Sequence, residues 1–179
     1  MSFFGSFDFT FSGGIWFAVI YLIISTSLTL MLPKYRLSAF MDVPRVKVFG
    51  LLYQVLYYLQ LLILCFLSFA ESNFLFYVGT VVYIVGMLLY FTAMFYFAIA
   101  EYNKPVTRGL YKFSRHPVYF SFFIIILGAS FATGNFILLI MSVLYLICSR
   151  QIAKAEELDC QKKYGADYQK YAENVRRFI

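Results

Sequence analysis

The chain has little charge: only 13% of its 179 residues are Asp, Glu, Lys or Arg, against 62% hydrophobic. A soluble domain is normally about half apolar and about a quarter charged. A soluble fold of this size would struggle to hide so much Leu, Ile, Phe and Tyr, so lipid is the expected solvent for the excess. The same figures exclude intrinsic disorder. No positive n-region appears between Met1 and Gly14, so no cleavable signal peptide is expected and insertion falls to the first apolar span. Three cysteines, Cys65, Cys148 and Cys160, fall at no metal or redox spacing. No metal site is expected. Histidine is nearly absent, with His116 alone.

Aromatic residues are abundant, at 22%. That is more than lipid-facing positions need, so some rings are expected to line the interior. Apolar runs of roughly 20 residues mark membrane spans. They read as Ile15 to Leu32, Val48 to Ala70, Phe74 to Ala100, Val118 to Ala132 and Phe136 to Ser149. Pro33 closes the first. The turns Glu71-Ser72-Asn73 and Thr133-Gly134-Asn135 separate others. The last two spans are short and form a tight hairpin, and the tail from Arg150 to Ile179 is polar, charged and helical. The expected fold is all-α: one domain over 1–179, a polytopic bundle of about five transmembrane helices with a cytoplasmic C-terminal helical tail.

Charge sets the orientation. All 15 Lys and Arg residues fall between Lys34 and Lys47, between Lys104 and Arg115, or from Arg150 onwards. The opposite side carries Asp8 and Glu71 only. Basic loops stay cytoplasmic, so the N-terminus is expected outside and the C-terminus inside. The net charge of +6 serves insertion and contact with anionic lipid, and does not argue for nucleic acid.

Two polar clusters lie on the cytoplasmic side. In the first, Arg115-His116-Pro117-Val118-Tyr119, Pro117 suits the first turn of a helix. Arg115 and His116 then lie at its N-terminus, where free N–H groups favour an anion. Alone, the cluster also reads as an interfacial anchor. The second is Glu156-Glu157, which alone also reads as a solvated face paired with neighbours such as Lys154. Because the two bracket a hairpin that returns the chain to its starting side, they can meet in space.

Together these residues resemble the isoprenylcysteine carboxyl methyltransferase and phospholipid methyltransferase superfamily. Val106-Thr107-Arg108-Gly109-Leu110-Tyr111 resembles that superfamily's lead-in to the histidine motif. Leu158, Tyr164-Gly165, Tyr168, Tyr171 and Arg176-Arg177-Phe178 resemble its tail, and Gly79 and Gly86 its third span. The resemblance covers roughly the last 100 residues. The usual Leu-Gly and Trp segment before the lead-in is missing, and Phe120-Ser121 replaces the Gly often found after the motif tyrosine.

The resemblance implies an S-adenosylmethionine-dependent membrane methyltransferase with its cofactor-binding part at about 101–179. It implies a cofactor pocket of Tyr111, Arg115, His116, Pro117, Tyr119, Glu156 and Glu157, with Arg115 and Glu157 catalytic. The acceptor would be a lipophilic carboxylate, amine or thiol from the bilayer, with Phe122, Phe123 and Tyr145 as lining for lateral access. Two other readings stand beside it. One is an NADPH-dependent, sterol-reductase-like enzyme, with a similar Arg-His-Pro motif and a tail like Lys163 to Tyr168. The other is a non-catalytic membrane scaffold or carrier.

Overall fold

The computed structural model describes residues 13–41, 47–70 and 73–178. Asp8, Arg45, Glu71 and Ser72, which entered the orientation and turn readings, lie outside them. The described residues contain seven α-helices: α1 (Ile15–Leu30), α2 (Lys34–Met41), α3 (Lys47–Leu64), α4 (Asn73–Ala98), α5 (Pro117–Thr133), α6 (Phe136–Tyr164) and α7 (Ala166–Asn174). A 3-10 turn, Gly109–Lys112, precedes α5. Two helices are long and apolar enough to cross a membrane, Phe74–Ala98 and Phe136–Tyr164; Ile15–Leu30, Val48–Leu64 and Pro117–Thr133 are apolar but shorter.

The helix ends follow from their residues. α5 begins with Pro117, whose missing N–H is no loss in a first turn. It ends at Gly134, which takes the left-handed conformation at φ 64° and returns its N–H to Phe131 and Ser130. Asn135 then caps α6, its side-chain oxygen accepting from the Leu138 N–H at 2.8 Å. The sequence-read turn Thr133-Gly134-Asn135 is therefore the hinge of the α5–α6 hairpin.

Four expectations need correction. α3 stops at Leu64 and not at Ala70, because tertiary bonds claim the following backbone: Gly14 N–H donates to Leu67 O at 2.7 Å and Ala70 N–H to Ala132 O at 2.8 Å. α6 does not end at Ser149. It runs unbroken to Tyr164, because nothing after Ser149 opposes the helix and Ala, Glu, Lys and Gln favour it. The basic segment after Pro33 contains α2 and is not all loop. α1 and α4 close two residues early, at Leu30 and Ala98.

The helix exteriors are apolar. Ile23, Leu51, Leu62, Val81, Leu88 and Ile147 all stand exposed, which suits lipid and not water. Inside, aromatic residues dominate, as their abundance suggested. Tyr21 and Tyr57 share a hydroxyl hydrogen bond of 3.1 Å, the Tyr145 hydroxyl donates to that of Tyr53 at 3.2 Å, and Tyr83 donates to the Phe17 carbonyl. Hydroxyls deep in an apolar bundle need such partners. Phe122 and Tyr145 pack together in this core at 4.7 Å between ring centroids.

Candidate functional site

The site forms where the start of α5 meets the end of α6. From Phe136 to Glu156 the helix rises about 30 Å, the thickness of a bilayer core. The unbroken α6 therefore carries Glu156 and Glu157 to the mouth of the bundle. α5 runs back antiparallel, so its N-terminal His116 reaches the same level.

The last residues are clipped across this mouth. The Arg115 N–H donates to the Arg176 carbonyl at 2.9 Å, and the Ser114 hydroxyl to the Arg177 carbonyl at 3.0 Å. The fully buried Ser114 also accepts from the His116 N–H at 3.3 Å. These bonds swing the Arg177 side chain onto Glu157. Its Nε donates to Oε1 at 2.8 Å and its terminal nitrogen to Oε2 at 2.7 Å, the bidentate fork that suits a carboxylate.

His116 joins both carboxylates. Its Nε2 lies 3.1 Å from Glu157 Oε1 and its Nδ1 3.2 Å from Glu156 Oε2. The Tyr119 hydroxyl donates to Glu156 Oε1, and the Tyr119 ring lies nearly parallel to the imidazole. Arg115 approaches Glu157 Oε2 at 3.4 Å, while its buried Nε has no partner. Pro117 sits in the first turn of α5, its carbonyl accepting from the Ser121 hydroxyl at 2.7 Å. Tyr111 is buried beneath the cluster, its carbonyl accepting from the Tyr171 hydroxyl at 2.7 Å.

The structure thus brings Arg115, His116, Tyr119, Glu156 and Glu157 into one contact network, with Tyr111 just behind. Arg177 was absent from the sequence-read site, although Arg176-Arg177-Phe178 was noted as a tail feature. A pair of arginines in a charged tail looks solvated until the backbone bonds to Ser114 and Arg115 are seen.

The two carboxylates differ. Glu157 is saturated by two arginines and the imidazole, and only 11% of its side chain is exposed. Glu156 touches Tyr119 and His116 and is 30% exposed, so it is the one able to meet a ligand. Burial pushes the Glu157 carboxyl up, but Arg177, His116 and Arg115 outweigh it and hold the pKa at about 2. Burial works against charge on His116, and the two carboxylates more than reverse that, raising its pKa above the ordinary 6.5.

Both shifts carry a stability consequence. The raised His116 value stabilises the fold fully below 6.5, and that contribution is lost as pH rises through the folded value. The lowered Glu157 value stabilises fully above 4.5 and is lost as pH falls towards about 2. Both are fully present together from 4.5 to 6.5. The thermal midpoint in detergent should be flat across that window and fall on either side. His116→Gln should remove the alkaline fall, and a midpoint that keeps rising above neutrality would overturn the ion-pair reading.

The mouth keeps polar groups to spare for a ligand: the Arg115 Nε has no partner among the described residues, and Glu156 is only partly engaged.

A sequence profile of the family described as phospholipid methyltransferase matches residues 67–167, more than half of the chain. The match takes in α4, α5 and all of α6 with the Glu pair. A protein-S-isoprenylcysteine O-methyltransferase of Schizosaccharomyces pombe is 39% identical over 72 residues, which cover 39% of this chain and 30% of that protein. The aligned stretch spans less than a third of that relative.

Proposed function

The chain belongs to the phospholipid methyltransferase family, and from that membership we propose that it moves the methyl group of S-adenosylmethionine to a lipophilic, membrane-borne acceptor. The observation that carries the reading is the His116–Glu156–Glu157–Tyr119 network at the mouth of the α5–α6 hairpin. In this reading the whole chain is one domain in which α1, α3, α4, α5 and α6 cross the bilayer. The basic segments and the site face the cytoplasm, and the N-terminus lies outside. The apolar helix exteriors and the position of every Lys and Arg support it.

The residues then take definite tasks. Arg115, with a free Nε–H, holds the cofactor carboxylate. Glu156 holds the ammonium or ribose hydroxyls, and Tyr111 and Tyr119 supply stacking surfaces. His116, fixed at both ring nitrogens, keeps the two carboxylates at a constant spacing. Glu157 and Arg177 lock the tail over the site. When bound, S-adenosylmethionine supplies a methyl group on a cationic sulfur, open to in-line attack.

What the protein adds is alignment and dryness. Holding an acceptor in line with the methyl removes most of the entropic barrier. An anionic acceptor and a cationic donor lose charge together, so a water-poor mouth favours the transition state over the reactants. A carboxylate acceptor needs no general base. An amine acceptor has to reach the site unprotonated.

Thermal stability of the detergent-purified protein tests this. A ligand selective for the folded state adds about 2.7 kcal/mol of stability at one hundred times its dissociation constant, and so raises the midpoint. S-adenosylmethionine should stabilise the wild type, while His116→Ala and Glu156→Ala should lose the response yet still insert. Stabilisation by NADPH alone would favour a reductase. A wild-type response in both variants would remove these residues from the site.

A further inference from the structure

Arg36 is a buried cation that meets no carboxylate among the described residues. It is only 4% exposed, near the start of α2 and far in sequence from the motif. One terminal nitrogen donates to the Glu101 carbonyl at 2.7 Å, and the guanidinium carbon lies 5.5 Å from the Tyr35 ring and 5.2 Å from the Phe97 ring. Its Nε is buried and has no partner among the described residues. Among the described residues no carboxylate pairs with it. The adjacent acid, Glu101, points outward to Lys104 at 2.6 Å and Arg108 at 3.8 Å.

What surrounds Arg36 compensates the charge in part. The end of α4 offers about half a negative charge, and ring faces attract a guanidinium by about 1–2 kcal/mol. Buried charges are otherwise paired, because an uncompensated one is costly. The unused Nε–H points to an oxyanion that completes the set.

The place matters as much as the charge. Glu101 opens the segment that leads through the 3-10 turn to Arg115, so Arg36 anchors the same strand of chain that builds the site. The Tyr111 phenol, pushed up first by burial and then by Tyr171 and Glu156, is pulled back by Arg36. Arg36 and Glu156 therefore act on one buried ring.

We propose that Arg36 binds an oxyanion on the membrane-borne acceptor, seating its anionic head apart from the His116–Glu156 cluster that holds the methyl donor. This rests on the methyltransferase reading above. Carboxylate and phosphate share the required chemistry. The first would be the methylated group itself, the second the phosphate of a lipid whose amine is methylated.

The test compares anionic amphiphiles with neutral partners on the full chain in detergent. One pair is S-farnesyl-N-acetylcysteine and its methyl ester. The other is a monoacyl phosphatidic acid and the matching monoacylglycerol. In the wild type, one anionic probe should bind at least roughly tenfold tighter than its partner, in line with a charge-assisted hydrogen bond of about 1.5–3 kcal/mol. A ratio in the first pair identifies a carboxylate acceptor, and in the second a phospholipid. Arg36→Gln should erase the ratio and leave stabilisation by S-adenosylmethionine unchanged. Should that variant not fold, Arg36→Lys, which keeps the charge but loses the planar fork, should cut the ratio severalfold. Ratios near one for both wild-type pairs, or an undiminished ratio in the folded variant, overturn the proposal. Failure of S-adenosylmethionine to stabilise the wild type would instead overturn the methyltransferase reading and leave the anion ratio to be judged by itself.

Discussion

Replacing Glu157 by Ala should both abolish cofactor binding and destabilise the protein more than any other single change at the site. Glu157 accepts two hydrogen bonds from Arg177, one from His116 and an ion pair from Arg115. Without it three cationic groups face one another in a mostly buried place. Removing one partner of a buried ion pair costs about 3–5 kcal/mol, because the other charge stays behind. Arg177 is a quarter exposed, so the lower figure applies. At roughly 2–4 °C per kcal/mol for a chain of this size, the midpoint should drop by roughly 6–12 °C. Glu156→Ala removes less, since its contacts are one tyrosine hydroxyl and one imidazole nitrogen. It should abolish binding with a smaller change in midpoint. In the double variant with Arg177→Ala, the loss should be less than the sum of the single losses, because the stranded cation is gone. A Glu157→Ala midpoint within about 2 °C of wild type would show that the cluster is held by packing and not by this carboxylate.

The same cluster marks how far the sequence can be read. The five apolar helices, the Gly134 turn and the meeting of the histidine motif with the Glu pair all follow from local pattern and from the hairpin. The break after Leu64 does not. Cys65, Phe66 and Leu67 are as apolar as what precedes them, and only the distant Gly14 N–H and Ala132 carbonyl explain the break. The continuation of α6 past Ser149 was hidden because polarity changes there while helix propensity does not. The role of Arg177 depends on backbone bonds to residues some 60 positions away. Arg36 read as one more positive charge of a cytoplasmic loop, since burial has no signature in a basic segment. Local chemistry was legible, and what tertiary contact imposed was not.

Gly128→Ala and Gly79→Ala should each weaken the fold by about 3 kcal/mol or more, at the upper end of overpacking. A Cβ at Gly79 would lie 2.1 Å from Ala132 N, and one at Gly128 would lie 2.3 Å from Tyr83 N. Gly86 meets Ile125 N at 2.7 Å. Residue 79 faces 132, 83 faces 128 and 86 faces 125, the fixed register of two antiparallel helices in backbone contact. The atoms met are main chain, so no rotamer change relieves the clash. Ordinary contact begins at 3.4 Å, so α4 and α5 would part by about 1 Å, enough to forfeit a quarter to a half of the dispersion energy across the seam. Small residues at such seams are what let helices associate where lipid competes equally for the side chains. The damage should reach the site, because α5 carries His116 at its start while the Glu pair rides on α6. Both variants should therefore lose the response to S-adenosylmethionine along with their midpoint. Val81→Ala, on an exposed face of the same helix, should stay within about 0.5 kcal/mol of wild type. Thermal midpoints and size-exclusion profiles in one detergent would check all three. A Gly128→Ala protein that melts with the wild type and still binds the cofactor would mean that the two helices do not meet at this register, and that His116 reaches the Glu pair by another path.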